Sequence, residues 1–142
     1  MDGFGKNSVL IVDDEKSNLL VLSNILSPEY TVCMTKSGSS ALELADKNTP
    51  DIILLDILMP DMNGFDVLKA LKNSEKTRNI PVILITALDS VEDEEHGLDC
   101  GAADFLVKPF RTKIVMLKVR NHMLIVNQSR AIERYEKMIA QV

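Results

Sequence analysis

The sequence predicts an α/β domain built on a five-stranded parallel sheet. Five short apolar segments alternate with stretches in which apolar residues recur at helical spacing, and this alternation is typical of right-handed β–α–β units. The chain has 142 residues, a length that matches one domain. Its 46% hydrophobic and 26% charged residues supply enough apolar material for a core and exclude an intrinsically disordered chain.

The predicted strands are short runs rich in valine, isoleucine and leucine. Runs without polar alternation indicate strands that are covered on both faces, as in a parallel sheet. Turn residues such as Ser27-Pro28 and Asn79-Ile80-Pro81 separate these runs from the helices. In chain order the predicted strands are residues 8–12, 30–34, 52–55, 82–85 and 105–107.

The first three predicted helices each present one apolar stripe to the sheet. Between the third strand and the third helix, Asp61 and Asn63-Gly64 are expected to shape a turn, because Asn-Gly tolerates positive φ. The stripes are Leu19, Leu22, Ile25 and Leu26; Ala41, Leu44 and Ala45; and Phe65, Leu68 and Leu71.

The fourth predicted helix, residues 89–98, is acidic and has few apolar anchors. Ser90 and Asp93 have the spacing of a capping box. Weakly packed elements open at low free energy, so we expect this helix to be the part of the domain that moves. The alternative is a polar, exposed helix without such a role.

A fifth helix is predicted to begin at Thr112, as its cap, and to run to the end of the chain, because no helix breaker follows Pro109. At 1.5 Å rise, about 29 residues span about 43 Å, more than covering the sheet requires, so part of the helix should project. Its apolar residues recur every seven positions, which is typical of a coiled coil; a helix folded against its own domain is the alternative. We therefore divide the chain into an N-terminal tail (1–7), a domain (8–119) and a C-terminal helical extension or linker (120–142). The apolar stripe of this helix consists of Leu117, Leu124, Ala131 and Met138, with Ile125, Ile132 and Ile139 beside them.

Charge and composition limit the partners and the location. The net charge is −5, but residues 1–110 carry −10 and residues 111–142 carry +5. An acidic body argues against nucleic acid as a direct ligand, since phosphate contacts come from clustered lysine and arginine. No apolar run approaches the roughly 18 residues of a membrane helix, and the first residues lack a signal-peptide pattern. Cys33 and Cys100 lack metal-ligand spacing, so we expect reduced, buried thiols in a cytoplasmic protein; a disulfide is the alternative.

Four of the predicted strands run directly into residues that can do chemistry. The first runs into Asp13 and Asp14, the third into Asp56, the fourth into Thr86 and the fifth into Lys108. In an open α/β sheet, ligands bind beyond the carboxyl ends of the strands, so these side chains are expected to converge in one crevice. Three carboxylates, a hydroxyl and an ammonium group would then meet there.

Such a crevice suits a hard divalent cation and phosphoryl transfer. Three ionised carboxylates repel one another, and one lysine leaves the group at about −2, a charge that Mg²⁺ would neutralise. A carboxylate beside the ion can attack phosphorus, and we predict that Asp56 does so, with Lys108 and the Thr86 hydroxyl binding the phosphoryl oxygens. The alternative is that Asp13 and Asp14 are helix-capping acids and that Thr86 and Lys108 are ordinary structural residues.

Five motifs occur in an order and at intervals that resemble the response-regulator receiver domain of two-component signalling. They are residues 12–15 (Val-Asp-Asp-Glu), 56–64 (Asp-Ile-Leu-Met-Pro-Asp-Met-Asn-Gly), 85–87 (Ile-Thr-Ala), 101–105 (Gly-Ala-Ala-Asp-Phe) and 108–110 (Lys-Pro-Phe). The resemblance covers about residues 8–117. It implies a flavodoxin-like, doubly wound sheet of order 2-1-3-4-5, here with an extended C-terminal helix.

The same resemblance implies a role for each site residue. Asp56 would be the phosphoacceptor, Mg²⁺ would be the cofactor, and Lys108 would bind the phosphoryl group. Thr86 and Phe105 would be the switch residues, and Lys108-Pro109 would be a cis peptide. The implied magnesium ligands are Asp13, Asp14, Asp56 and the Leu58 carbonyl.

Two departures from the common receiver pattern bear on the switch. Phe105 stands where many receivers have tyrosine, so a signal from Thr86 would be steric rather than passed through a hydroxyl. Leu58 and Leu88, two positions after Asp56 and Thr86, are both apolar. We expect them to shield the acyl phosphate from water and so to lengthen its life.

The resemblance implies a signalling switch rather than an enzyme that turns over a separate substrate. The phosphoryl donor would be a sensor histidine kinase or a histidine phosphotransfer protein. The fourth and fifth helices would contact an output domain or partner, and the C-terminal helix could join two copies in a homodimer. These residues contain no output domain, so we expect either part of a longer protein or a protein that acts alone.

Two other functions stay open at this point. One is a haloacid dehalogenase-type phosphohydrolase, a family that needs a second Asp where Leu58 stands. The other is a phosphorylation-independent pseudo-receiver, which the retained site residues argue against. His96 and His122 lack the context of a ligand or nucleophile, and we expect them at surface or boundary positions.

Overall fold

The computed structural model describes residues 6–87 and 90–142 and contains the predicted α/β fold. Five strands form one parallel sheet in the order β2-β1-β3-β4-β5, so the doubly wound, flavodoxin-like order is confirmed. The predicted strands differ from the observed ones by at most one residue at either end. The strands are β1 (Ser8–Val12), β2 (Thr31–Thr35), β3 (Ile52–Asp56), β4 (Val82–Thr86) and β5 (Asp104–Val107). The helices are α1 (Lys16–Leu26), α2 (Gly38–Asn48), α3 (Gly64–Asn73), α4 (Val91–Asp99) and α5 (Thr112–Ala140).

The central strands β1, β3 and β4 are buried on both faces, as their continuous apolar composition predicts. Alternate side chains point to opposite faces, so the core forms two layers. One layer packs the sheet against α1 and α5 through Leu22, Leu26, Val115 and Val119. The other packs it against α2 and α3 through Ala41, Ala45, Leu68 and Leu71.

Strand β2 lies at one edge of the sheet and leaves much of its surface exposed. Cys33, in the middle of β2, is exposed, and Cys100, at the end of α4, is half-buried. Both are free thiols. The prediction that both cysteines are buried is therefore wrong. β2 is an edge strand, a position that the predicted sheet order already implied, and Cys100 follows a helix that buries only Gly97 among its described residues.

Three helix starts differ in detail from the prediction. Asn63 has a φ of −63° and caps α3 by accepting the Phe65 N–H at 2.7 Å, so the turn does not use positive φ there. Ser90 precedes α4, but its side chain makes no capping hydrogen bond in the part of the chain described, so the capping box is wrong. Thr112 is the first residue of α5 and Arg111 occupies the cap position, so Thr112 is not the cap.

Helix α5 runs past the body of the domain, as its length predicts. Val115, Val119 and Met123 are buried against the sheet, whereas every residue of 131–142 is exposed. Between the described residues, Asn127 exchanges hydrogen bonds with Asn7, and Arg130 pairs with Asp51. Among the described helices, none combines the length and apolar character needed to cross a membrane.

Candidate functional site

The carboxyl ends of the parallel strands place the predicted site residues at one edge of the sheet. Asp13 and Asp14 follow β1, and Asp56 is the last residue of the neighbouring strand β3. Thr86 ends β4 on the other side of β3, and Lys108 follows β5. The alternation of strands and helices thus brings residues from four distant parts of the chain together.

The three carboxylates form a compact acidic cluster. One oxygen from each of Asp13, Asp14 and Asp56 lies within 4.8 Å of the others. Asp13 and Asp56 are 0% and 3% exposed, whereas Asp14 is exposed. Buried carboxylates need counter-charge, and a set of oxygen donors is what a hard divalent cation prefers. The donor set therefore fits Mg²⁺.

Asp13 also helps to begin α1, although it does not occupy the cap position. Its carboxylate accepts the Glu15 N–H at 3.0 Å and the Asn18 side-chain amide at 3.1 Å. The cap position is Glu15, so the alternative that Asp13 and Asp14 are the N-cap residues is wrong. These two bonds fix the Asp13 carboxylate in the crevice beside Asp56.

Lys108 supplies a positive charge within reach of Asp56. Its Nζ lies 3.4 Å from Asp56 Oδ1, and its side chain is 29% exposed. The Lys108–Pro109 peptide bond is cis. A single ammonium group faces three carboxylates, so the crevice keeps a negative charge that favours a further cation.

Burial raises the pKa of the Asp56 carboxyl, and the negative charge on Asp13 raises it further. The positive charge of Lys108 and hydrogen bonds from the Leu58 N–H and Lys108 act in the opposite direction. The net effect raises the pKa from 3.8 to about 6. The ionised Asp56 carboxylate is therefore destabilised in the folded protein, and a bound cation, or a reaction that removes its charge, would relieve this.

Thr86 contributes an unsatisfied polar group at the same edge. The residue is 2% exposed, and its Oγ1 has no hydrogen-bond partner within the described residues. A buried hydroxyl without a partner costs free energy. Thr86 can therefore gain a hydrogen bond from an acceptor that enters the crevice.

The loop between β3 and α3 is pressed against Asp56. A Cβ on Gly64 would lie 2.4 Å from the Asp56 main-chain oxygen and 2.7 Å from the Ile57 Cα, so only glycine fits there. The Asp61 carboxylate binds this loop to the start of α2, because it accepts the Gly38 N–H at 3.2 Å. The Leu58 side chain is 72% exposed on this loop. Leu88, the other predicted shield, lies outside the described residues.

Phe105 connects the sheet with α4. Its ring is 8% exposed, and a Cβ added to Gly97 of α4 would lie 3.0 Å from its Cε1 and 2.6 Å from Leu84 Cδ1. The residue Val107, two positions later, pairs with Thr86 in the β4–β5 register. Phe105 thus lies next to α4, on the strand that pairs with Thr86.

His122 has a role in the structure that the sequence interpretation missed. Its Nε2 lies 3.0 Å from Asp104 Oδ2, and Lys118, one turn earlier on α5, pairs with Asp104 Oδ1 at 3.0 Å. His122 follows Val115 and Val119 on the buried face of α5 at helical spacing, and this spacing could have identified it. His96, by contrast, is exposed on α4 and packs its ring edge-on against Phe65.

Comparison with known proteins identifies the class. The family model described as the response regulator receiver domain matches residues 9–120, and the chain belongs to this family. The chain is 46% identical over 114 residues to Response regulator PleD of Caulobacter vibrioides (strain NA1000 / CB15N), covering 80% of this chain and 25% of that protein. It is 39% identical over 115 residues to Transcriptional regulatory protein CpxR of Escherichia coli (strain K12), covering 80% of this chain and 48% of that protein.

A solved structure supports the same fold. The chemotaxis response regulator CheY4 of Vibrio cholerae matches with a TM-score of 0.78 and 31% identity, covering 82% of this chain and 98% of that chain. The resemblance inferred from the motifs is thus confirmed. The chain spans about a quarter of the length of PleD and about half that of CpxR.

Proposed function

We propose that this receiver domain accepts a phosphoryl group on Asp56 from a sensor histidine kinase or a histidine phosphotransfer protein. One observation carries the proposal: three carboxylates from β1 and β3 lie within 4.8 Å of one another, and Lys108 lies 3.4 Å from the same Asp56. An anionic crevice with one ammonium group is suited to hold a metal and a phosphoryl group together.

The chemistry follows from the side chains. A carboxylate oxygen of Asp56 attacks phosphorus, the P–N bond of the donor phosphohistidine breaks, and its electron pair returns to the imidazole. Lys108 neutralises charge on the phosphoryl oxygens, and the Thr86 hydroxyl donates the hydrogen bond that it otherwise lacks. Mg²⁺, held by Asp13, Asp14, Asp56 and the Leu58 carbonyl, would neutralise the remaining negative charge of the crevice.

Phosphorylation would then alter the surface formed by α4, β5 and α5. Helix α4 buries only Gly97 among its described residues, so little packing energy opposes its displacement. The ring of Phe105 lies so close to Gly97 that an added Cβ would be 3.0 Å from its Cε1, and it has no hydroxyl, so the switch acts through packing. Phosphorylation shifts an equilibrium between two arrangements of this surface, which an output domain or partner reads.

The C-terminal helix supplies a second partner surface. Its apolar stripe is exposed along its whole length, with Leu124 at 54%, Ile132 at 58% and Met138 at 65% exposure. We propose that the stripe packs against a second copy or continues as a linker to an output domain. Sedimentation of the wild type and of Leu124→Glu tests the homodimer: we expect a larger species only in the wild type, and a monomer in both would contradict it.

The phosphoacceptor proposal is tested by intact-mass spectrometry after incubation with a small-molecule phosphodonor, with and without Mg²⁺. We expect one phosphoryl group on the wild type and on the control Asp66→Asn, dependent on Mg²⁺, and none on Asp56→Asn. A phosphoryl group retained by Asp56→Asn would place the site elsewhere. Turnover of many phosphoester molecules per chain would instead favour the hydrolase, although Leu58 stands where that family needs an acid. A cytoplasmic location and the lack of a direct nucleic-acid ligand stay predictions.

A further inference from the structure

Asp104, the first residue of β5, lies at the centre of a second charged cluster. This cluster is formed by β5 and α5 and does not include the proposed phosphoacceptor Asp56. The Asp104 carboxylate accepts the Phe105 N–H at 2.8 Å and the Lys118 ammonium at 3.0 Å, and it lies 3.0 Å from His122 Nε2. Lys118 and His122 are one turn apart on α5. We call Asp104, Lys118 and His122 the β5–α5 cluster.

The cluster also holds the main chain of the switch residue. The Lys118 ammonium donates a second hydrogen bond, 2.6 Å long, to the carbonyl oxygen of Phe105. The two main-chain polar groups of Phe105 are thus both bound by charged side chains, the N–H by Asp104 and the carbonyl by Lys118. Charge-assisted bonds of this length are about twice as strong as neutral ones.

Burial makes these bonds effective. The side chains of Asp104, Lys118 and His122 are 29%, 34% and 18% exposed. Desolvation opposes the charge on Asp104, but hydrogen bonds from the Phe105 N–H, His122 and Lys118 outweigh it and hold the pKa of Asp104 below its usual value. The carboxylate therefore stays ionised at neutral pH.

Phe105 therefore interacts with two helices, one through its ring and one through its main chain. Its ring lies beside α4, where a Cβ on Gly97 would be 3.0 Å from Cε1, whereas its main-chain N–H and carbonyl are hydrogen-bonded to Asp104 and to Lys118 of α5. Because the Phe105 side chain lacks a hydroxyl, only its main-chain N–H and carbonyl can form hydrogen bonds with another element. Packed, hydrogen-bonded groups shift together between discrete arrangements rather than deforming continuously.

We propose that Asp104, Lys118 and His122 are positioning residues that couple Phe105 to α5, so that a displacement of Phe105 is passed to the helix that projects from the domain. The proposal rests on the proposed phosphorylation of Asp56 for its signal. The tie between Phe105 and α5 exists in the unphosphorylated chain as well, and this allows the two ideas to be tested apart.

The test compares Lys118→Met with the matched control Lys113→Met, an exposed lysine on the first turn of the same helix. Hydrogen–deuterium exchange is measured over residues 104–107 and 115–130, before and after a small-molecule phosphodonor with Mg²⁺. Methionine keeps the apolar stem and removes both donated bonds. If Lys118→Met fails to fold, Asp104→Asn removes the charge at constant volume and is measured in the same way.

In the unphosphorylated chain we expect residues 104–107 and 115–123 to exchange faster in Lys118→Met than in Lys113→Met. After treatment, both variants should carry the same amount of phosphate as the wild type, but the phosphorylation-dependent change over 115–130 should shrink about threefold or more in Lys118→Met only. A full response of α5 in Lys118→Met, or equal loss in Lys113→Met, would overturn the coupling. A wild type that takes no phosphate contradicts the phosphoacceptor proposal, and equal exchange of the two unphosphorylated variants contradicts the cluster.

Discussion

Replacing Asp56 by asparagine should stabilise the fold at neutral pH. The folded protein holds this carboxyl at a pKa of about 6, against 3.8 for the free group. At about 1.4 kcal/mol per pH unit, the ionised form costs the folded state about 3 kcal/mol at pH 7.5. Asparagine keeps the shape and removes this charge. We expect a gain of about 1–3 kcal/mol rather than the full amount, because Lys108 loses its ionised partner and part of the benefit is lost.

The sign of the pH dependence makes the prediction specific. Between the two pKa values the folded state binds more protons than the unfolded state, so wild-type stability falls as pH rises from about 4 to 7. The advantage of Asp56→Asn should therefore shrink to below about 1 kcal/mol at pH 4, where the carboxyl is protonated in the folded state and about 40% protonated in the unfolded one.

Urea unfolding followed by far-ultraviolet circular dichroism suits this measurement, because the chain contains no tryptophan. A chelator keeps divalent cations away from the crevice. Asp46→Asn is the control, since Asp46 is exposed and its carboxylate makes a 3.8 Å surface pair with Lys76. Equal stabilities of wild type and Asp56→Asn at pH 7.5, or a gain that persists unchanged at pH 4, would refute the account of the acidic cluster.

Three further changes test other parts of the structure. Gly64→Ala should destabilise the domain by about 2–4 kcal/mol, because its Cβ has no room beside the Asp56 main chain; a wild-type urea midpoint would contradict the close approach. Leu58→Asn should speed loss of phosphate from Asp56, because it removes an apolar, 72% exposed side chain beside the site; an unchanged dephosphorylation rate would remove the shielding role. Asp51→Ala should lower the free energy of unfolding by about 1–3 kcal/mol, because the carboxylate accepts the Ser8 N–H and pairs with Arg130. It should also speed amide exchange in α5 beyond residue 127. Exchange at wild-type rates would show that other contacts fix the helix.

Much of the fold was accessible from the sequence because its signals are local and repeated. Continuous aliphatic runs identified the buried strands, and helical spacing identified the faces that cover them. The convergence of Asp13, Asp14, Asp56 and Lys108 followed from one rule, that parallel strands end at the same edge. The roles assigned to these residues came from the receiver resemblance, which the family match supports.

Other features depend on tertiary contacts that a local pattern does not encode. Cys33 lies in an apolar run but is exposed, because β2 is at the edge of the sheet. The sequence did not identify a partner for His122, because Asp104 is 18 residues away and comes close to it only when α5 packs beside β5. The raised pKa of Asp56 likewise depends on burial and on Asp13, which is 43 residues away in the chain.

Helix α5 has two distinct surfaces on different faces. Val115, Val119 and Met123 pack against the sheet, and Lys118 and His122 hold Asp104. The apolar stripe, by contrast, is exposed from Leu117 to Ile139 and takes no part in these contacts. A partner can therefore cover the stripe without breaking the β5–α5 cluster, and a shift of the helix on the sheet moves the stripe as one rigid body. This separation is what a helix needs if it is to receive a signal on one face and present it on another.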